Sequence, residues 1–266
     1  MWSRVPKPAQ IADACGRALR RSLPAVIGAG VLAAIGGTAY AGYHWVTTSP
    51  RFAITRITVQ GNHHLTGDQI RAAVPAHIGD NLFATNLGAV EHSLRGNPWI
   101  ADVEVHRMLP HTISIDLREH VPVAVADLGG LYLVDDAGRA FKRAELDEGD
   151  GAGLPVITGL GREAYLANPG AAAAQIEGAL GAVATWQATA DRPQIAEVHL
   201  DGRGAIALVT ASGTSIELGT IDAALAARMR TFDTAWAELA DSERERASAV
   251  HLDPGSDHVT VAFKDQ

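Results

Sequence analysis

The sequence predicts an α+β protein: an N-terminal transmembrane helix, a small β-α-α-β-β unit, and then a mostly antiparallel β-domain with packed helices. Three observations carry this. No charged residue occurs between Arg21 and Arg51. Two alternating apolar runs, Trp99–Val105 and Thr112–Arg118, follow two short segments of helical period. Beyond residue 122, short strand-like runs separated by Gly, Pro and Asp turns are interleaved with two longer helical stretches.

The uncharged gap comes first in the chain. Residues 23–47 are expected to form the membrane helix and residues 1–22 a cytoplasmic tail. Leu23 to Val46 reads LPAVIGAGVLAAIGGTAYAGYHWV, long enough at ~1.5 Å per residue to cross ~30 Å of hydrocarbon. Tyr40, Tyr43 and Trp45 cluster at its C-terminal end, where amphipathic rings suit a membrane–water interface. Arg4, Lys7, Arg17, Arg20 and Arg21 face only Asp13 within residues 1–50, so the basic flank places the N-terminus inside and the body outside. Ala39-Tyr40-Ala41 resembles a signal-peptide cleavage site, but the basic region is long and the apolar stretch exceeds the usual ~7–15 residues, which favours a retained anchor. Ala29, Ala33, Gly37 and Ala41 recur every four residues, a spacing that lets helices approach closely; a segment rich in Ala and Gly also produces it by composition.

The net charge of −8 divides unevenly: +4 over residues 1–50 leaves −12 for the remainder. A body that acidic has little attraction for phosphate backbones, which argues against nucleic acid as a partner. With 47% hydrophobic and 20% charged residues the chain has the composition of a folded protein. Cys15 is the only cysteine, so no disulfide framework exists.

In the first soluble segment, Ile54–Val59 alternates as a strand that Gly61-Asn62 ends. Thr66 is placed to N-cap a helix over Asp68–Val74, stopped by Pro75. A second helix is expected over Leu87–Leu94, ended by Asn97-Pro98. The two alternating strands follow, joined through Arg107–His111. The next strands are expected at Pro122–Ala126, Leu131–Val134, Arg139–Lys142 and Val156–Thr158, with Glu145–Gly153 as an exposed acidic loop. Ala172–Ala190 reads as a helix. Strands at Ala196–Leu200, Ala205–Thr210 and Thr214–Leu218 come next. Ile221–Leu239 is amphipathic through Leu225, Met229, Phe232 and Trp236. Ala249–Leu252 and His258–Lys264 are the last strands, around Asp253–Asp257. The final strand either occupies a sheet edge, open to another chain by β-augmentation, or completes the sheet behind its charged tail.

Sites for chemistry are sparse. Gly-x-Ser-x-Gly, His-Glu-x-x-His, P-loop and Cys-x-x-Cys patterns are absent from the sequence. Asp135-Asp136 lies in a turn signature beside Gly138 and is expected to be a solvated turn rather than an acid–base pair. His63-His64, with His106, His111 or His120, has no metal-ligand spacing and is expected to be exposed polar surface. Trp99 is expected in a core.

Several stretches resemble a known family: Ile57-Thr58-Val59-Gln60-Gly61-Asn62, Asn97-Pro98-Trp99-Ile100-Ala101-Asp102-Val103-Glu104-Val105, Arg107-Met108-Leu109-Pro110, and Ile115 to Ala124, followed by Leu154–Gly159 and Glu217-Leu218-Gly219. In this order they resemble the FtsQ/DivIB cell-division proteins, with Ile54–Val125 resembling a POTRA domain. The resemblance implies a POTRA domain at residues 52–122 and a β-domain at 123–266 in a bitopic inner-membrane protein of the division septum. It implies a non-enzymatic connector with FtsB- and FtsL-like partners, no cofactor, no metal and no small-molecule substrate. The partner strand carries over to His258, Val259, Thr260, Val261, Ala262 and Phe263. Where the family often has Asp-Leu-Arg-Tyr, this chain has His251-Leu252-Asp253-Pro254. Two other readings are a POTRA-bearing protein of outer-membrane assembly or secretion, and a membrane-anchored periplasmic enzyme.

Overall fold

The structure, a computed structural model, describes residues 8–252 and 258–264. Helix α1 (Pro8–Thr48) opens it, and its stretch Pro24–Thr48 is long and apolar enough to cross a membrane. The helix continues without interruption from the tail into the span. Two compact units follow from the packing: one takes the chain up to Gly96 with Asp102–Leu117, the other Asn97–Ala101 with residues from Arg118 onward.

The first unit contains β1 (Arg56–Gln60), α2 (Gly67–Ala73), α3 (Leu87–Arg95), and most of β2 (Ile100–Met108) and β3 (Thr112–Glu119). Its sheet has the order β1-β3-β2, with β1 parallel to β3 in the register Ile57↔Ile113 and Val59↔Ile115. Thr66 caps α2 as expected, and Gln69 reciprocates in a capping box. Asn86 caps α3 through Ala89 N–H. Ile70, Val90, Leu94, Val103, Val105, Ile113 and Ile115 form the buried interior. Ser114, on the opposite face of β3 from Ile113 and Ile115, is buried too, and β3 is the central strand of the sheet. Gly61 leaves β1 at φ +82°, and a Cβ there would collide with the Leu117 carbonyl. Only glycine meets both demands.

The second unit begins with β4 (Ala124–Asp127), β5 (Leu131–Val134), β6 (Ala140–Arg143), β7 (Val156–Thr158), α4 (Arg162–Ala167) and α5 (Pro169–Gln187). It continues with β8 (Ile195–Leu200), β9 (Ala205–Thr210), β10 (Ser215–Thr220), α6 (Leu225–Glu238), α7 (Asp241–Arg246), β11 (Ala247–Leu252) and β12 (Val259–Phe263). Its nine strands form one sheet in the order β12-β11-β10-β9-β8-β7-β4-β5-β6. The pairings are mostly antiparallel; β4–β7, β7–β8 and β10–β11 are parallel. Helices α5 and α6 meet through Trp186 and Phe232, 4.7 Å apart. With the strands they bury Ile157, Ile176, Val198, Leu208, Ile216, Met229 and Val250. The predicted layer of helices on a mostly antiparallel sheet is therefore present.

Three local differences have physical causes. Helix α5 starts at Pro169, before the expected Ala172, because Asn168 accepts from Ala171 N–H and proline suits the first helical position. Helix α6 starts at Leu225 instead of Ile221 because Asp222 holds the preceding segment as a turn. Its carboxylate accepts from Thr220 Oγ1, Ala224 N–H and Arg228, and these hydrogen bonds lower its pKa, with Thr220 the strongest cause. Helices α4 and α7 were not expected; each has six residues, too few for a period to register.

Candidate functional site

The C-terminal strand is built from alternating residues. Val259 and Val261 pack against the core cluster of the second unit, while Thr260 and Ala262 are exposed. Phe263 continues the inward alternation yet is 41% exposed, since β11 has a register irregularity between Ala247 and Ala249 opposite it. A bulge of this kind turns the end of the strand away from the layer beneath.

β12 is the terminal strand of the sheet, and β11 is its single neighbour among the described residues. The register is Ala249↔Ala262, Val250↔Val261, His251↔Thr260 and Leu252↔Val259. Lys264 N–H donates to the Arg246 carbonyl at 2.9 Å. Backbone groups of a strand alternate between its two sides. Lys264, Ala262 and Thr260 therefore turn their main-chain N–H and C=O toward β11, and Phe263, Val261 and Val259 turn theirs outward. The outer rim thus offers three donors and three acceptors at a spacing of two residues. Lys264 Nζ donates to the Ser212 carbonyl at 3.4 Å.

The support behind the rim is well tied. Thr214, buried, donates to the Ala247 carbonyl at 2.9 Å. His251 and Glu217, partners across β10 and β11, are 2.8 Å apart. Thr231, Thr234 and Glu238 of α6 and His258 and Val259 line a groove of about 430 Å³ beside the start of β12. The turn expected at Asp253–Asp257, with Pro254, lies outside the described residues.

The other sequence candidates resolve differently. Asp135 is not in a solvated turn; it is buried, while Asp136 is exposed. One Asp135 oxygen accepts from Ala137 and Arg139 N–H. The other meets His120 Nδ1 at 2.9 Å and the Arg139 guanidinium at 2.8 Å. Burial works to raise its pKa, but the Arg139 N–H and guanidinium and His120 outweigh it, so the carboxyl sits below its ordinary value. His120 was expected to be exposed; it lies largely inside, its ring stacked on Phe141 at 4.6 Å. Trp99 is buried as expected and meets Phe141 edge-on at 5.5 Å. His106 lies beside Glu104 and His111 beside Thr55, and the described residues contain no cluster of His, Cys, Asp and Glu able to hold a metal. Sequence reading named the strand 258–263 but not the division of labour within it, because which alternate residues face outward depends on β11's register.

Comparison with known proteins gives the context. Residues 52–120 match the family described as POTRA domain, FtsQ-type, and residues 124–253 the family described as Cell division protein FtsQ/DivIB, C-terminal. The chain is 37% identical over 239 residues to Cell division protein FtsQ of Anaeromyxobacter sp. (strain K), covering 89% of this chain and 79% of that protein. It is 37% identical over 180 residues to Cell division protein FtsQ of Myxococcus fulvus, covering 67% of this chain and 62% of that protein. It is 32% identical over 207 residues to Cell division protein FtsQ of Geotalea daltonii, with 77% and 74% covered. The chain belongs to the FtsQ family of cell division proteins.

Proposed function

We propose that this protein is a non-enzymatic connector of the division machinery that holds FtsB- and FtsL-like bitopic partners by strand pairing along β12. The observation that carries the reading is an end strand whose Val259, Val261 and Phe263 main-chain groups face away from β11. An added strand satisfies those groups, and backbone pairing needs no particular side chain. The replacement of the family's Arg-Tyr by Asp253-Pro254 is therefore compatible with it. Pro254 has no N–H to give, so pairing begins beyond it, over His258 to Phe263. The uncharged span and its basic N-terminal flank support a single-pass inner-membrane anchor with the N-terminus in the cytoplasm and the body in the periplasm. The family role supports a place at the division septum.

The test is copurification of FtsB- and FtsL-like proteins of the same organism with the full chain and with a chain ended after Leu252. Loss of the FtsB-like protein with the first unit still folded is the expected result. Retention at full yield would remove β12 as the binding edge.

A further inference from the structure

The first unit has two ends of opposite character. Strand β1 runs away from the exit of α1, and β3 lies parallel to it from Arg56↔Thr112 to Gln60↔Asp116. The near end therefore gathers the α1 exit, the start of β1, the β2–β3 connection and the 77–83 loop. Thr55 N–H donates to the His111 carbonyl. Ile54 and Phe52 exchange main-chain hydrogen bonds with Gly79, Asp80 and Leu82. Among the described residues of this unit beyond α1, all the exposed large apolar side chains fall at this end: Ile78 (64% exposed), Phe83 (37%), Met108 (56%) and Leu109 (65%). The far end carries exposed His63, His64 and Thr66 instead.

This apolar end is continuous with the membrane helix. Trp45 of α1 contacts Phe52 edge-on at 6.1 Å, and Phe52 contacts Phe83 edge-on at 5.0 Å. Asn81 Nδ2 donates to the carbonyls of Val46 and Ser49 at 2.9 and 3.2 Å, satisfying main-chain oxygens that the helix end leaves open. Arg107 braces the same loop from β2, donating to the Leu82 and Thr85 carbonyls at 2.9 and 2.6 Å. The loop is thus fastened on both sides at the depth of Trp45. Around it stand the exposed Arg51, Arg56 and Arg107, against Asp80 as the one acid in segments 49–56, 76–86 and 106–112. Apolar side chains rimmed by cations suit the headgroup layer of an anionic bilayer.

We propose that Ile78, Phe83, Met108 and Leu109 are seated in the headgroup layer of the leaflet from which α1 emerges, so that the first unit rests on the lipid surface instead of hanging from a free tether. This rests on the reading of α1 as a retained membrane anchor. The test uses the full chain with Cys15→Ser, carrying one added cysteine at Ile78→Cys, Leu109→Cys, Gln60→Cys or Val31→Cys. Each is labelled with nitrobenzoxadiazole and reconstituted in phosphatidylethanolamine–phosphatidylglycerol vesicles. Labels at 78 and 109 should be quenched by lipids bearing a shallow nitroxide and shielded several-fold from iodide. The label at 60 should be open to iodide, and that at 31 reached only by a deep nitroxide. Labels at 78 and 109 as open to iodide as that at 60, with 31 still in lipid, would overturn the seating and leave the anchor standing. A label at 31 open to iodide would overturn both.

Discussion

The nine-stranded sheet has two rims, and they are finished in opposite ways. At one end, β6 has four residues, of which Phe141 and Lys142 have engaged side chains. Phe141 lies between His120 and Trp99, and Lys142 binds Asp150 at 2.6 Å with both side chains largely covered. The 145–153 segment turns back on itself beside it through Asp150 and Glu145. At the other end, β12 has five residues, four of them of strand-favouring Val, Thr and Phe type, with outward main-chain groups and an exposed Phe263. Proteins usually blunt exposed edges with short strands, charges and covering loops. The β6 rim has the shorter strand and a largely covered ion pair, whereas β12 carries no charged residue between Val259 and Phe263. On the reading proposed above, the β12 edge is the one that a partner strand joins.

The contrast can be sharpened by substitutions on either rim. The largest expected effect is on the β6 side, where Asp135 holds the turn leading into the strand. Asp135→Ala leaves the largely buried His120 and the turn's Ala137 and Arg139 N–H without their acceptor and should cost about 3 kcal/mol, read by denaturant unfolding, with partner affinity of the folded fraction unchanged. The lowered Asp135 pKa also fixes a sign. Its stabilisation is fully present above the unfolded carboxylate value near ~3.9 and is lost as pH falls through the lower folded value. Asp135→Asn should therefore flatten the acid limb of the stability–pH curve; an unchanged limb would deny the buried pair its role.

Next comes the open rim. Val261→Pro removes an outward N–H and should weaken partner binding by about 3 kcal/mol, or ~100-fold. Ala262→Pro removes an N–H turned toward β11 and should instead lower the melting temperature of the free protein. Equal effects of the two on stability and binding would mean that β12 has no distinct outer side. Lys142→Met, at the β6 rim, should cost about 1 kcal/mol or less and leave binding untouched. The smallest effect is expected from Phe263→Ser: free-protein stability within about 0.5 kcal/mol and a few-fold loss of partner affinity by titration calorimetry.

Much of this architecture could be read from residue order because it is local. The uncharged span, the Thr66 cap and the alternation in Thr112–Arg118 each depend on neighbours a few positions away. What escaped was long-range. Parallel β7 is inserted between β4 and β8, and nothing within Val156-Ile157-Thr158 specifies that place. Asp135 looked like part of a solvated turn because its partner His120 lies in a segment read as polar surface. The last strand was visible from Val259-Thr260-Val261, but its position at the rim and the facing of its amides required the completed sheet.

Amide hydrogen exchange along β12, residue by residue, separates its inner from its outer main-chain groups. In the free protein the Thr260 and Ala262 amides should be protected by β11, while those of Val259, Val261 and Phe263 exchange rapidly; adding the FtsB-like partner should slow Val261 and Phe263 selectively. Protection of Val261 in the free chain, or no slowing there in the complex, would contradict strand pairing along β12.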